Sequence, residues 1–271
     1  MSRRKKILFE IVFSVIFLVS VCIAGVMCTE AARVTDFSRK NLAPGIPYLF
    51  GTDWLGRDML VRTLKGMSLS IFIGMLSAVI SAVLALMMGI ASATMGKRVD
   101  GVITWLIDLI MGIPHMLLLI LISVAVGKGF KGVVIGVALT HWTSLARLIR
   151  AEVIQLKESP YIKIAEKLGK SKWYIAGKHM LPHLVPQFIV GLVLIFPHAI
   201  LHESSITFLG FGLSTEQPAI GIILSEAMKY LVTGKWWLAL FPGIFLVLTV
   251  VLFYVLGESL RKLIDPGSVH E

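Results

Sequence analysis

Charge is scarce in this sequence. Asp, Glu, Lys and Arg make up 15% of its 271 residues, where an ordinary soluble domain carries about a quarter. That shortage of surface-forming residues argues against a water-soluble globule. Acidic residues are scarcer still, 16 against 26 Lys and Arg, which leaves a formal charge of +10. A basic excess can signal nucleic-acid binding. Here, however, the basic residues stand in short clusters between apolar runs, a pattern that sets membrane orientation and suits an anionic lipid surface. Nucleic acid is therefore not an expected partner. Cysteine is nearly absent: Cys22 and Cys28 both lie in the first apolar run. They suggest neither a disulfide framework nor a metal knuckle, only buried hydrophobes.

The common motifs of enzymes are missing too. Gly169-Lys170-Ser171 could end a phosphate-binding loop, but that loop needs Gly at position 164, where Ile164 stands. His202-Glu203 could open a zinc-protease motif, but its second His would fall at 206, which is Ile206. No Ser or Cys has an obvious base beside it. The expectation is a chain that is not an enzyme and has no nucleotide site or bound cofactor of its own.

Long hydrophobic runs are what the sequence has in abundance. Hydrophobic residues make up 56% of it, and the mean hydropathy is +0.86. A membrane-crossing helix needs about 20 mostly apolar residues. Six segments qualify: 7–28, 68–95, 102–126, 132–150, 184–204 and 238–260. In lipid the backbone must satisfy its own hydrogen bonds, so the reading is an all-α membrane protein with six transmembrane helices. Gly74, Gly89, Pro114 and Pro197 fall inside these helices, where such residues are tolerated, and the glycines permit close helix contact. The basic start, Arg3-Arg4-Lys5-Lys6, precedes a run too long for a signal peptide, so a retained anchor is expected.

Orientation follows from the basic clusters. Placing the N-terminus inside puts Lys97, Arg98, Arg147, Arg150, Lys157, Lys163, Lys167, Lys170, Lys172, Lys178, Arg261 and Lys262 on the same side. The first outer stretch, 29–67, has six basic residues but offsets them with Glu30, Asp36, Asp53 and Asp58. The expectation is a multi-pass protein of the bacterial inner membrane with both termini cytoplasmic. The chain divides into 1–67, an anchor helix with an extracytoplasmic segment, and 68–271, a helical core.

The inner segment 151–183 is strongly amphipathic, with Tyr161, Ile164, Ala165, Leu168, Trp173 and Ile175 alternating with lysines. It reads either as a helix on the lipid surface or as a docking surface for a cytoplasmic partner. Within it, YIKIAEKLGKSKWYIAGKHMLPH (161–183) resembles the EAA loop of ABC importer permeases: a short helix, a glycine (Gly169) and, further on, Leu181-Pro182. Lys163-Ile164-Ala165 replaces the usual Glu-Ala-Ala, and His179 replaces an Ile. Other stretches resemble the dipeptide/oligopeptide/nickel family of these permeases. They are FGTDWLGRDMLVRTLKG (50–66), WTSLARLIRAEVIQLKESPY (142–161), HESSITFLGFG (202–212), WWLALFPG (236–243) and LGESLRKLIDPG (256–267). Ile220 departs from the family's usual Trp.

The resemblance implies a type I ABC importer permease (MetI-like) architecture with a cytoplasmic coupling helix. Tyr161, Ala165, Gly169, Leu181 and Pro182 would couple the chain to its ATPases. The implied partners are a second homologous permease, two cytoplasmic ATPases that hold ATP and Mg, an extracytoplasmic binding protein and membrane lipid.

Histidines mark the candidate substrate path. His198 and His202, spaced i, i+4, share one helix face, and His141 opens the run HWTSLAR. Spacing alone favours structural hydrogen bonds for the pair, with a metal site as the other reading. The resemblance turns that balance toward the nickel-type permease second subunit, with His198 and His202 as transient metal ligands. Peptide import is the alternative. Glu203 would either attract a cation or amino group, or cap helix-end donors. Asp108 is expected to be structural, and Met87, Met88, Met111 and Met116 to fill packing gaps.

Overall fold

The structure, a computed structural model, describes residues 3–264; Asp265, Pro266 and Gly267 of the C-terminal motif lie outside the described residues. Its first helix, α1 (Arg3–Met27), is followed by two 3₁₀ turns, Ala31–Arg33 and Phe37–Arg39. Next come α2 (Met59–Thr94), α3 (Lys97–Gly112), α4 (His115–Val126) and α5 (Gly129–Lys157). The short α6 (Pro160–Lys167) and α7 (Lys172–Ile175) lead through a π-helical turn, Ala176–Met180, into α8 (Leu181–Phe208). The described chain ends with α9 (Ile220–Leu231) and α10 (Trp237–Ile264). Among the described residues, five helices are long and apolar enough to cross a membrane, and α3 with α4, bent at a break, counts as a sixth when taken together as one span.

That break is the main departure from six straight helices. The apolar run 102–126 bends by 101° between α3 and α4. Pro114 has no N–H to continue the helical ladder, and its ring drives the preceding residue out of helical conformation. Ile113 accordingly takes φ −92°, ψ 137°. A second departure is α9, which forms a helix in what reads as an outer loop; Ile220 is buried at its start.

The long α2 is the central post, packed against α1, α3, α5, α8, α9 and α10, most extensively against α5. With 36 residues it is about 54 Å long, well beyond the hydrocarbon core. Gly89 shows why the α2–α5 approach is so close. A Cβ there would stand 2.8 Å from Ile149 Cγ2 and 2.9 Å from the Ala146 carbonyl oxygen of α5. Without a side chain, the two backbones meet directly. One apolar core gathers α1, α2, α8, α9 and α10 around Met67, Ile73, Phe196 and Phe253. A second joins α2 and α5 to α6 through Ala85, Ile149, Val153, Ile162 and Ala165.

Polar locks hold the two ends of the bundle. At one end Asp58 caps α2 by accepting from Leu60 N at 2.8 Å. Beside it the buried Asp53 receives Arg57 Nε and Arg62 Nη1, each at 2.6 Å. Arg62 Nη2 also donates to Glu226 of α9 at 2.9 Å. Trp54 stacks on Tyr230, centroids 4.8 Å apart. Segment 29–67 is thus pinned to α2 and α9. At the other end Arg150 forks onto Asp100, both bonds 2.6 Å, while Lys157 Nζ donates to the Ala93 carbonyl at 3.0 Å. Arg147 of α5 pairs with Asp108 of α3, so Asp108 has a structural partner.

Candidate functional site

Two features of the bundle are built for function: a cavity at the broken span, and the α6–α8 loop at the end that carries Arg150.

The cavity has a volume of about 780 Å³ and is lined by the α3–α4 break, one face of α5 and one face of α8. Irregular backbone at membrane depth is tolerated where it lines a cavity or is buried in protein, and the break at Ile113-Pro114 lies in its wall. His115, the first residue of α4, enters from the break, His141 from α5, and His198 and His202 from α8. Of these four, His115, His141 and His202 form a compact group. One ring nitrogen from each lies within 4.8 Å of the other two. The ring centroids are 4.6 Å apart for His115–His141, 4.5 Å for His115–His202 and 5.1 Å for His141–His202.

His198 lines the same cavity but is not part of the trio. The helical pair read from the sequence is therefore one half of the arrangement. His115 takes the place at the centre that spacing gave to His198. A histidine directly after Pro114 in an apolar run was the available signal, because ionisable groups at membrane depth are rarely placed without use.

The remaining expected path residue, Glu203, does not line the cavity. Its side chain is fully buried, and its carboxylate accepts from Ser204 Oγ and Thr207 Oγ1, each at 3.2 Å. Being one residue beyond His202 turns it to another face of α8. Met116 lies against the trio: its thioether sulfur is 3.2 Å from His202 Nδ1.

The loop at the other end is organised by Gly169. α6 begins with Pro160 at its first turn, a favoured place for proline. It ends with Gly169 N donating to the Glu166 carbonyl at 2.9 Å and Lys170 N to the Ala165 carbonyl at 3.1 Å. This is a Schellman closure, which needs a left-handed residue after the cap, and Gly169 has φ +74°. Ala165 and Ile162 face inward, into the core shared with α5. Tyr161, Ile164 and Leu168, at i, i+3 and i+7, are exposed on the opposite side. Leu181 and Pro182 start α8 beyond the π-helical turn, both exposed.

A bundle of membrane-length helices around an imidazole-lined cavity, with an apolar stripe presented at one end, defines a membrane-transport subunit. Comparison with known proteins gives the family. Residues 81–269 match the family described as binding-protein-dependent transport system inner membrane component. The chain is 30% identical over 265 residues to the dipeptide transport system permease protein of Bacillus subtilis, covering 97% of this chain and 83% of that one. It is 33% identical to the oligopeptide permease protein of the same organism, covering 85% and 77% of the two chains. It is 28% identical to a probable D,D-dipeptide permease protein of Escherichia coli, covering 95% and 86%. In structure it resembles a chain of the inward-facing MetNI methionine ABC transporter. That match has a TM-score of 0.61 at 17% identity and covers 76% of this chain and 98% of that one.

The chain belongs to the binding-protein-dependent transport system inner membrane components: it is an ABC importer permease. It is accordingly a multi-pass protein of the cell membrane, and the family implies ATPase and substrate-binding partners. The all-helical fold read from the sequence is the fold of the structure.

Proposed function

We propose that this chain is one of two homologous permease subunits in an ATP-driven importer of small peptides. The observation that carries this reading is similarity along nearly the whole chain to relatives named for dipeptide and oligopeptide transport. The cavity agrees with it. Its volume of about 780 Å³ falls within the range of small-molecule sites, and the second permease would close its open side. The nickel reading is second in rank. It draws support from the imidazole trio, not from the names of these relatives.

In the proposed orientation the α6–α8 loop and both termini are cytoplasmic, as the cluster Lys157, Lys163, Lys167, Lys170 and Lys178 favours. An extracytoplasmic binding protein delivers substrate to the end that carries Asp53. One of the two ATPases grips the stripe of Tyr161, Ile164 and Leu168 as a helix-in-groove contact, and the other meets the second permease. Closure on ATP then moves α6. Because Ile162 and Ala165 share a core with Ile149 and Val153, α6 carries α5 and its His141 along. The cavity thereby changes its side of access.

The test is uptake of radiolabelled dipeptide and of radioactive nickel in cells expressing the complete transporter, with and without this chain. Dipeptide uptake that requires the chain is the expected result. Unchanged peptide uptake together with lost nickel uptake would overturn the peptide reading.

A further inference from the structure

Three imidazoles converge on one point in the cavity wall from three separate helices: His115 from the start of α4, His141 from α5 and His202 from α8. Nothing in chain proximity produces this. It is a product of the tertiary fold, and in particular of the 101° break that brings His115 to the other two.

The nitrogens are also prepared for a ligand. His141 Nδ1 is 3.0 Å from the Val137 carbonyl, which can only accept, so Nδ1 carries the proton and Nε2 keeps its lone pair. A backbone carbonyl on one ring nitrogen is the usual way to orient a metal-binding imidazole and set its tautomer. The Nε2 atoms of His115 and His141 are both buried without a hydrogen-bond partner. Buried polar atoms in native folds are rarely left so unless something else completes them. His202 Nδ1 rests on the Met116 sulfur at 3.2 Å, a soft neighbour compatible with the same class of ion.

We infer that His115, His141 and His202 form a three-histidine site for a first-row divalent transition metal, carried as cargo or as part of it. Imidazole nitrogens select Ni, Cu and Zn over the harder Mg and Ca. Around a tetrahedral ion, nitrogens at about 2.1 Å from the metal stand about 3.4 Å from one another. The three nitrogens already lie within 4.8 Å, so side-chain rotations of about an ångström would close them on the ion. Three protein ligands leave at least one coordination position open toward the cavity. That position suits the amine or carboxylate of a small chelator, so the cargo is either the bare ion or a metal–peptide chelate. The site deepens the second, nickel reading and does not depend on the peptide one.

The experiment uses the assembled transporter, purified in nanodiscs and stripped of metal by chelator and dialysis. Nickel(II) and cobalt(II) are titrated separately, with bound metal measured by mass spectrometry and the cobalt visible bands by absorption. The expected result is one ion at this site, with cobalt bands typical of nitrogen coordination. His115→Gln, His141→Gln and His202→Gln should each weaken binding ten-fold or more. His183→Gln, outside the cavity, should leave it within two-fold and so controls for adventitious surface histidines. His198→Gln separates the trio from the helical pair: a large loss there with none in His115→Gln would overturn the assignment. So would absence of stoichiometric metal on the unaltered transporter, a result that needs no variant to fold.

Repeating the titration with nickel premixed with a dipeptide distinguishes the two cargo forms. Tighter binding of the mixture indicates a chelate, and unchanged binding the bare ion. A transporter that imports peptide but binds no metal here overturns this inference alone. One that binds metal at the trio but imports no peptide overturns only the peptide reading.

Discussion

Arg62 donates through Nη1 to the fully buried Asp53 at 2.6 Å, so a guanidinium of the second helix is held by a carboxylate from the preceding loop. Arg57 reaches the same carboxylate oxygen, and Glu226 takes the other end of Arg62. The lock therefore ties three parts of the chain, 29–58, α2 and α9, at one end of the bundle.

Removing one side of such a pair strands a buried charge, at a cost of about 3–5 kcal/mol. Asp53→Ala is expected to lower the melting temperature of the detergent-solubilised transporter substantially. Asp53→Ala combined with Arg62→Met should recover part of the loss, because the orphaned guanidinium is gone as well. Thermal unfolding of the two variants checks the prediction, and equal melting temperatures would contradict it.

Gly89 offers a test of the helix core. Its missing Cβ would collide with Ile149 and with the Ala146 carbonyl. The Ala146 backbone cannot yield without bending α5. Gly89→Ala should cost about 1–3 kcal/mol by overpacking, and Gly89→Leu should prevent assembly. Truncating Ile149 to Ala should relieve only part of the defect, since the carbonyl contact remains. Yield of intact complex on size-exclusion chromatography is the measurement.

The α6 loop separates docking from folding. Leu168 is 72% exposed and makes little use of the permease's own core. Leu168→Glu is expected to leave the chain folded in the membrane while the ATPase subunits fail to co-purify. Gly169→Val acts differently. No neighbour would obstruct the new side chain, so the strain comes from the positive φ alone, about 1–3 kcal/mol for a β-branched residue. Gly169→Asn should be milder, since Asn tolerates that conformation. In the Val variant substrate-stimulated ATP hydrolysis should fall further than complex yield. Unchanged coupling in that variant would remove the loop from the mechanism.

Much of this fold is legible in the sequence, for a simple reason. Apolar runs of spanning length have no other stable form in lipid, so α1, α2, α5, α8 and α10 stand out from composition alone. The third span was harder. Its hydrophobicity is continuous, and only Pro114, which transmembrane helices often accommodate, marks the 101° turn. α9 was invisible for the opposite reason: its 12 residues are too short to span, and its helix is stabilised by burying Ile220, Ile222 and Ile223 against its neighbours. The cavity shows the limit most clearly. Helical spacing relates His198 to His202 but says nothing of His141 or His115. Their convergence depends on how α4, α5 and α8 cross.

The contact between α1 and α10 bears on how the molecule is made. Glu10 accepts from Ser259 at 2.8 Å, across nearly the whole length of the sequence. Among the described residues, α1 packs mainly on α2 and α10. During synthesis the first helix must therefore reside in the bilayer, lacking its last neighbour, until almost the entire chain has followed it. It is the most apolar of the five long spans among the described residues, which suits that wait. α1 can insert as an independent segment and leave docking to the final step of assembly.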